Sequence, residues 1–223
     1  MASWTDVTGR QLAVAIAVIL VALSRTPTPG VAAHAVSRPL GACPSPQSLQ
    51  SAYVRSNFSL DAFVGWTPYY ELAYHDVTQP KICGCQRSEK VLKGPVIYDN
   101  FTMMCPDKTG KIYISPLSFN LTGDSGVFVG HWAVAKSTRI PDTVVAVDVA
   151  YDTATGRPYY RWVLEFQCVE VAGQTAFVGV NFYSRERSDA ALREMRAAAT
   201  RQGLDSYMAS GIEVVNHTGC RYE

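Results

Sequence analysis

Little in this chain of 223 residues is suited to hold a metal or to shuttle electrons. It has four histidines, and no two of its six cysteines stand in the Cys-x-x-Cys spacing of a redox dithiol or a zinc site. His75, His131 and His217 are each isolated and read as ordinary strand or surface histidines. No metal and no cofactor are therefore expected. A basic run is also missing: 20 Lys and Arg face 19 Asp and Glu, which argues against nucleic acid or an anionic membrane surface as a partner. There is no internal repeat. Beyond residue 23 no apolar stretch reaches the roughly 20 residues that a membrane-spanning helix needs.

What is present begins with a leader. Arg10 precedes the apolar run "QLAVAIAVILVAL", which ends at Leu23, and Arg25 and two prolines follow. Ala33-His34-Ala35 supplies a small-x-small cleavage site, so residues 1–35 read as a secretory signal peptide. Residues 36–223 then form one domain, without an integral membrane span and bound for the secretory pathway, either the cell exterior or an internal lumenal compartment. Four of the five asparagines lie in Asn-x-Ser/Thr: Asn57, Asn100, Asn120 and Asn216. These are candidate glycosylation sites, which would need to lie on the surface. All six cysteines (Cys43, Cys83, Cys85, Cys105, Cys168 and Cys220) follow the leader. An even number in an oxidising compartment implies disulfides, and fifteen pairings are open. The "CGC" of Cys83-Gly84-Cys85 is read as sending one bridge to each side of a β-sheet wall.

Short β-favouring runs separated by turn signals predict strands at 66–75, 83–92, 96–105, 111–121, 126–136, 143–150, 159–169 and 176–184. In "YYRWVLEFQC" the residues Tyr160, Trp162, Leu164, Phe166 and Cys168 alternate with Arg161, Glu165 and Gln167. That pattern predicts one apolar face and one wet face. Residues 43–65 read as loop, with a helical turn near Tyr53. One segment differs: 188–203, "SDAALREMRAAATRQG", has a serine cap, an apolar stripe at Leu192, Met195 and Ala199, and Gly203 where a helix stops. Eight strands and one helix predict an all-β fold: an eight-stranded up-and-down antiparallel β-barrel with a C-terminal α-helix on its wall. A β-sandwich is the alternative.

With "CP" at 43–44, "NFSLDAFVG" running into "YYELA", the cysteine pair, "YYRWVLEFQC", "FYSRE", the helix and the terminal "GC" at 219–220, the chain resembles a lipocalin, closest in layout to the apolipoprotein D-like group. The resemblance implies Cys43–Cys168, one of Cys83 and Cys85 joined to Cys220, and the other to Cys105. It also implies that Arg185 lies over a barrel-floor aromatic as a cation-π lid. The family's floor tryptophan has no direct counterpart here, because Gly65 is followed at once by Trp66 and Tyr69 stands in the tryptophan's place. Either residue is a candidate.

The resemblance implies a carrier that binds a small hydrophobic ligand, such as a lipid, carotenoid or tetrapyrrole. Phe128, Trp132, Trp162, Leu164 and Phe166 are the candidate cavity lining. A ligand burying about 400 Å² would gain about 10 kcal/mol by transfer, part of which association consumes. Two alternatives stand beside this reading. One is an oxidoreductase acting on a carotenoid-like substrate, since the tail "HTGC" is similar to that of the lipocalin domain of violaxanthin de-epoxidase. The other is a secreted structural or interaction protein with a filled barrel. Asp148 and Glu165 are expected to face solvent from their strands, so no acid pair is placed in a cavity and no catalytic residue is assigned.

Overall fold

The computed structural model describes residues 41–106, 112–132 and 135–222, with side chains at all of these except 132 and 135–138. The leader 1–35 lies outside the described residues. Three short helices come first: α1 (Pro46–Leu49), α2 (Ala52–Asn57) and α3 (Leu60–Val64). The hydroxyls of Ser51 and Ser59 accept from the Val54 and Ala62 N–H groups, supplying partners that the first turns of α2 and α3 lack. The segment read as loop is thus largely helical.

Eight strands follow: β1 (Tyr69–Asp76), β2 (Gly84–Lys93), β3 (Val96–Met104), β4 (Ile112–Leu121), β5 (Val127–Trp132), β6 (Ala135–Tyr151), β7 (Pro158–Val171) and β8 (Gln174–Ser184). Each pairs antiparallel with the next. β1 pairs with both β8 and β2, which closes the sheet into an up-and-down barrel. Every expected strand is present. The largest difference is β6, which extends back through "STRIPD", a stretch left between two expected strands; Pro141 sits opposite Val129 of β5.

β1 shares its edge between two partners. Tyr69 and Tyr70 pair with Ser88 and Arg87 of β2, while Ala73 and Tyr74 pair with β9 (Glu213–Val214) of the C-terminal tail. The tail therefore fills the part of the seam that β2 leaves, and the Val215 N–H donates to the Leu72 carbonyl at 3.0 Å.

The "CGC" stretch stands at this seam. Cys83 bridges to Cys105 and Cys85 to Cys220, while Cys43 bridges to Cys168. On a regular strand, positions two apart share a face. Here Cys85 adopts a left-handed backbone, with φ of 54°, and the register shifts between Gly84 and Arg87. One cysteine thereby joins the barrel interior and the other reaches the tail. A Cβ on Gly84 would sit 2.5 Å from the Asn216 carbonyl, so only glycine lets the tail come this close.

The helix α4 (Asp189–Arg201) buries Leu192, Met195, Ala198 and Ala199 against the outside of the wall, and Ser188 caps it. Its partners include Trp162, Leu164, Phe166, Val180 and Phe182. A second cluster fills the closed end of the barrel. Among the described residues no helix is long and apolar enough to cross a membrane.

Candidate ligand-binding interior

The segment carrying α1 to α3 crosses one end of the barrel. The Ser51 N–H donates to the Val145 carbonyl and the Ser125 hydroxyl to the Val54 carbonyl, each at 2.7 Å. This brings Phe58 and Phe63 under the strands. The Phe63 ring stacks on Phe128 at 5.6 Å, and Phe58 lies 5.7 Å from Tyr160 and 6.1 Å from Phe128. Tyr160 reaches this floor through a bulge: Val149 opposes Tyr160 but Asp148 opposes Trp162, so Arg161 is an extra residue. The bulge sends Tyr160 inward and Trp162 outward, and the Tyr160 hydroxyl accepts from the Ser59 N–H at 2.6 Å.

Next to the aromatic floor the interior is polar. Asp99 lies between the interior residues Ile97 and Phe101 on β3, Glu165 two positions from Val163, Asn181 two from Tyr183, and Asp142 two from Val144. Period-two geometry turns all four inward. Glu71 joins them, since it opposes Tyr183. Lys90, across from Asp99, extends into the same space, with its ammonium 5.2 Å from the Phe63 ring, 5.4 Å from Phe119 and 5.2 Å from Tyr183. All of these polar side chains are buried, none more than 4 % exposed.

Lys90 Nζ lies 2.7 Å from Asp99 Oδ2 and 3.9 Å from Glu165 Oε1, and the Ser88 hydroxyl donates to the same Asp99 oxygen at 2.8 Å. Burial alone would lower the Lys90 pKa, but Asp99, Glu165 and Asp142 outweigh it and hold the ammonium above its ordinary value. The carboxyls go the other way. Burial raises Glu165, with Lys90 offsetting part of the shift. Asp142 is pushed well above the carboxylate range by burial and then by the negative charge of Glu165. Burial likewise raises Glu71, against a hydrogen bond from Gln79. Seven interior oxygens, Tyr69 OH, Glu71 Oε2, Gln86 Oε1, Asp99 Oδ1, Asp142 Oδ1, Glu165 Oε1 and Asn181 Oδ1, have no hydrogen-bond partner among the described residues.

No protein-family model matches the sequence, and no curated protein matches it. Solved structures do. Apocrustacyanin C2 aligns with 82 % of this chain and 93 % of its own at 14 % identity, with a TM-score of 0.60. Lobster apocrustacyanin A1 aligns over the same shares at 13 % identity and a TM-score of 0.58. Insecticyanin from the tobacco hornworm Manduca sexta aligns with 82 % of this chain and 92 % of its own, at 13 % identity and 0.58. The chain has the lipocalin fold. Identity this low carries the barrel and not its contents.

Within this lipocalin barrel only Phe128 of the expected lining is placed in the interior cluster. Trp162, Leu164 and Phe166 lie between the wall and α4: Trp162 Nε1 donates to Glu194 at 3.0 Å, and the Phe166 ring meets Tyr207 at 5.1 Å. The side chain of Trp132 lies outside the described residues. Arg185 sits 5.5 Å from the Trp66 ring and 5.1 Å from Tyr159, while Tyr69 is fully buried inside. Asn57, Asn100, Asn120 and Asn216 are exposed, and the fifth asparagine, Asn181, is buried. The expectation that Glu165 faces solvent is corrected, since it is 2 % exposed and shares the interior with Asp142. Asp148 does lie on the outside, paired with Arg161. Lys90, Asp99, Glu71, Asp142 and Asn181 were not foreseen as site residues. The sequence offered a hint only for Lys90, where "CQRSEKVLK" places Gln86, Ser88 and Lys90 on one face of a strand.

Proposed function

We propose that this protein is a secreted, glycosylated carrier that holds one small molecule, largely apolar but with a polar end, inside its barrel. One observation carries the reading. An aromatic floor adjoins a belt of buried oxygens that no donor among the described residues satisfies. An unpartnered buried polar group costs about 1 to 3 kcal/mol, so a barrel filled only by its own side chains would not collect so many of them. Water or a ligand completes the belt in this reading. Phe128 belongs to the lining in this reading, and Trp66 with Arg185 closes the floor from outside. Three disulfides and exposed glycosylation sequences fit passage through the secretory pathway. The narrower apolipoprotein D-like reading rests on the sequence motifs.

The test is uptake of the neutral apolar dye N-phenyl-1-naphthylamine, read by fluorescence, together with mass spectrometry of a solvent extract of the purified protein. Saturable dye binding at one site, or a stoichiometric extracted molecule, supports the carrier. Absence of both sinks it. A second reading, chemistry on the bound molecule, is favoured by the raised pKa values of Asp142 and Glu165, which keep a proton available for donation. Turnover of an epoxy-carotenoid with ascorbate, lost in Asp142→Asn, would support it.

A further inference from the structure

The charges facing the barrel interior do not balance. Glu71, Asp99, Asp142 and Glu165 are there, and among the described residues Lys90 is the only buried basic side chain. Lys90 is engaged with Asp99 at 2.7 Å and reaches Glu165 only at 3.9 Å. Hydrogen-bonding capacity is skewed in the same direction. Asn181 Nδ2 donates to the Tyr183 hydroxyl at 3.3 Å, but Asn181 Oδ1 has no partner among the described residues. That amide is 4 % exposed and carries no charge, so its orphan oxygen is a sign of a missing donor independent of the acids. Glu71 Oε2, Asp142 Oδ1 and Glu165 Oε1 are orphaned acceptors beside it. Gln86, whose amide holds one acceptor group and one donor group, leaves the balance unchanged.

On the carrier reading above, we propose that this interior selects a molecule with an apolar body and a protonated amine, whose ammonium meets Asp142, Glu165 and the Asn181 carbonyl. An ammonium brings three N–H donors and one positive charge, which is what the belt lacks. The amine replaces the second cation that Lys90 cannot supply. The apolar body lies along rings that flank the belt: Phe128 is opposite Asp142, and Phe101 is opposite Ser88. In the empty site burial raises the pKa values of Asp142 and Glu165, favouring their protonated forms, and a bound ammonium favours the charged ones. Amine binding therefore favours proton release.

Three dyes of different charge test the proposal on the intact glycoprotein at pH 7.4: monodansylcadaverine (an ammonium), N-phenyl-1-naphthylamine (neutral) and 11-(dansylamino)undecanoic acid (a carboxylate). The expected result is that monodansylcadaverine binds at least tenfold more tightly than the carboxylate dye. In Asp142→Asn/Glu165→Gln, checked as folded by near-ultraviolet circular dichroism, that preference disappears. Equal affinities, or a preference for the carboxylate dye, overturn the amine proposal and leave the carrier standing. Failure of all three dyes overturns the amine proposal, and together with an empty solvent extract it overturns the carrier as well.

A second measurement needs no variant. The titratable groups facing the site among the described residues are Glu71, Asp76, Lys90, Asp99, Asp142, Glu165 and the phenols of Tyr69, Tyr74, Tyr160 and Tyr183, and the carboxyls that burial raises, Glu71, Asp76, Asp142 and Glu165, are the ones expected to gain charge between pH 5 and pH 7.5. Affinity for monodansylcadaverine should rise at least fivefold over that range, with the neutral dye unaffected. A flat amine profile refutes the proposal.

Discussion

Replacing Lys90 by methionine removes the buried cation from the barrel while keeping most of its volume. The ammonium lies 2.7 Å from Asp99 and within about 5.4 Å of three aromatic rings. Removing one partner of a buried pair costs about 3 to 5 kcal/mol, because the other charge is left uncompensated. The bound on that figure comes from proton linkage. Without Lys90, the Asp99 carboxyl can stay buried only by holding a proton, which raises its folded-state pKa above the unfolded value of about 3.9. The folded variant then binds a proton that the unfolded chain releases, so its stability falls as pH rises from about 4 toward the raised pKa. Carried as far as pH 7.5, that penalty is at most about 5 kcal/mol. Urea unfolding with the disulfides intact, followed by tryptophan fluorescence at pH 4.5 and pH 7.5, measures it. The difference from wild type should be small at the lower pH and about 3 to 5 kcal/mol at the higher. Adding Asp99→Leu should restore half or more of the loss at pH 7.5. A Lys90→Met variant within 1 kcal/mol of wild type at both pH values would refute the account of the interior as a charge-compensated belt.

Glu71, Asp142 and Glu165 have folded pKa values raised by burial, so their contribution to stability is fully present below the unfolded carboxylate pKa and is lost as pH rises through the raised values. Calorimetry of the ligand-free protein should therefore find a higher unfolding temperature at pH 5 than at pH 8, and Asp142→Asn/Glu165→Gln should flatten the difference. Removing Cys43–Cys168, which closes a separation of 125 residues, should cost about 4 to 5 kcal/mol, against about 3 kcal/mol for Cys83–Cys105 with its separation of 22; equal losses in denaturant titrations would contradict the chain-entropy argument. Cys85→Ser/Cys220→Ser should speed backbone hydrogen exchange at Val215, whose N–H donates to Leu72 where the tail fills the seam, and leave the β7–β8 ladder unchanged. Enzymatic deglycosylation of the protein secreted by eukaryotic cells should remove mass in four steps, and each Asn→Gln change at 57, 100, 120 or 216 should remove one step.

The strands were legible because their ends carry turn chemistry, and the helix because its cap and stripe agree. The site was harder to see. In "YYRWVLEFQC" the apolar positions look like one continuous face, yet the bulge at Arg161 splits them between the interior and the outer wall. The larger apolar set then meets α4, a second apolar surface, so the face that looked wet is the inside. Single-strand periodicity reports contrast between two faces and does not say which one is enclosed. On β2 even the contrast is missing, since Gln86, Ser88 and Lys90 alternate with Arg87, Glu89 and Val91. The short helices were obscured for a different reason. At four to six residues each, they are defined by serine caps at α2 and α3 and by a proline in the first turn of α1, and not by periodicity.

The division of the apolar residues explains how the barrel tolerates so polar an interior. Leu192 and Met195 of α4 are buried with Trp162, Leu164, Phe166, Val180 and Phe182 on the outside of β7 and β8, and full burial of a large apolar side chain contributes about 1.5 to 3 kcal/mol. The Cys43–Cys168 bridge ties the N-terminal segment to that same wall. The seam, where β1 and β2 share only two paired positions, is held instead by the tail and the Cys85–Cys220 bridge. Closure of the barrel therefore depends on contacts outside it and at its floor. Most of the apolar burial that holds the barrel closed therefore lies outside the polar belt, which on the carrier proposal leaves that belt free to be matched to a ligand. Substitutions at Trp162 or Leu164 should then act chiefly on folding, and on that proposal substitutions at Asn181 chiefly on what is bound.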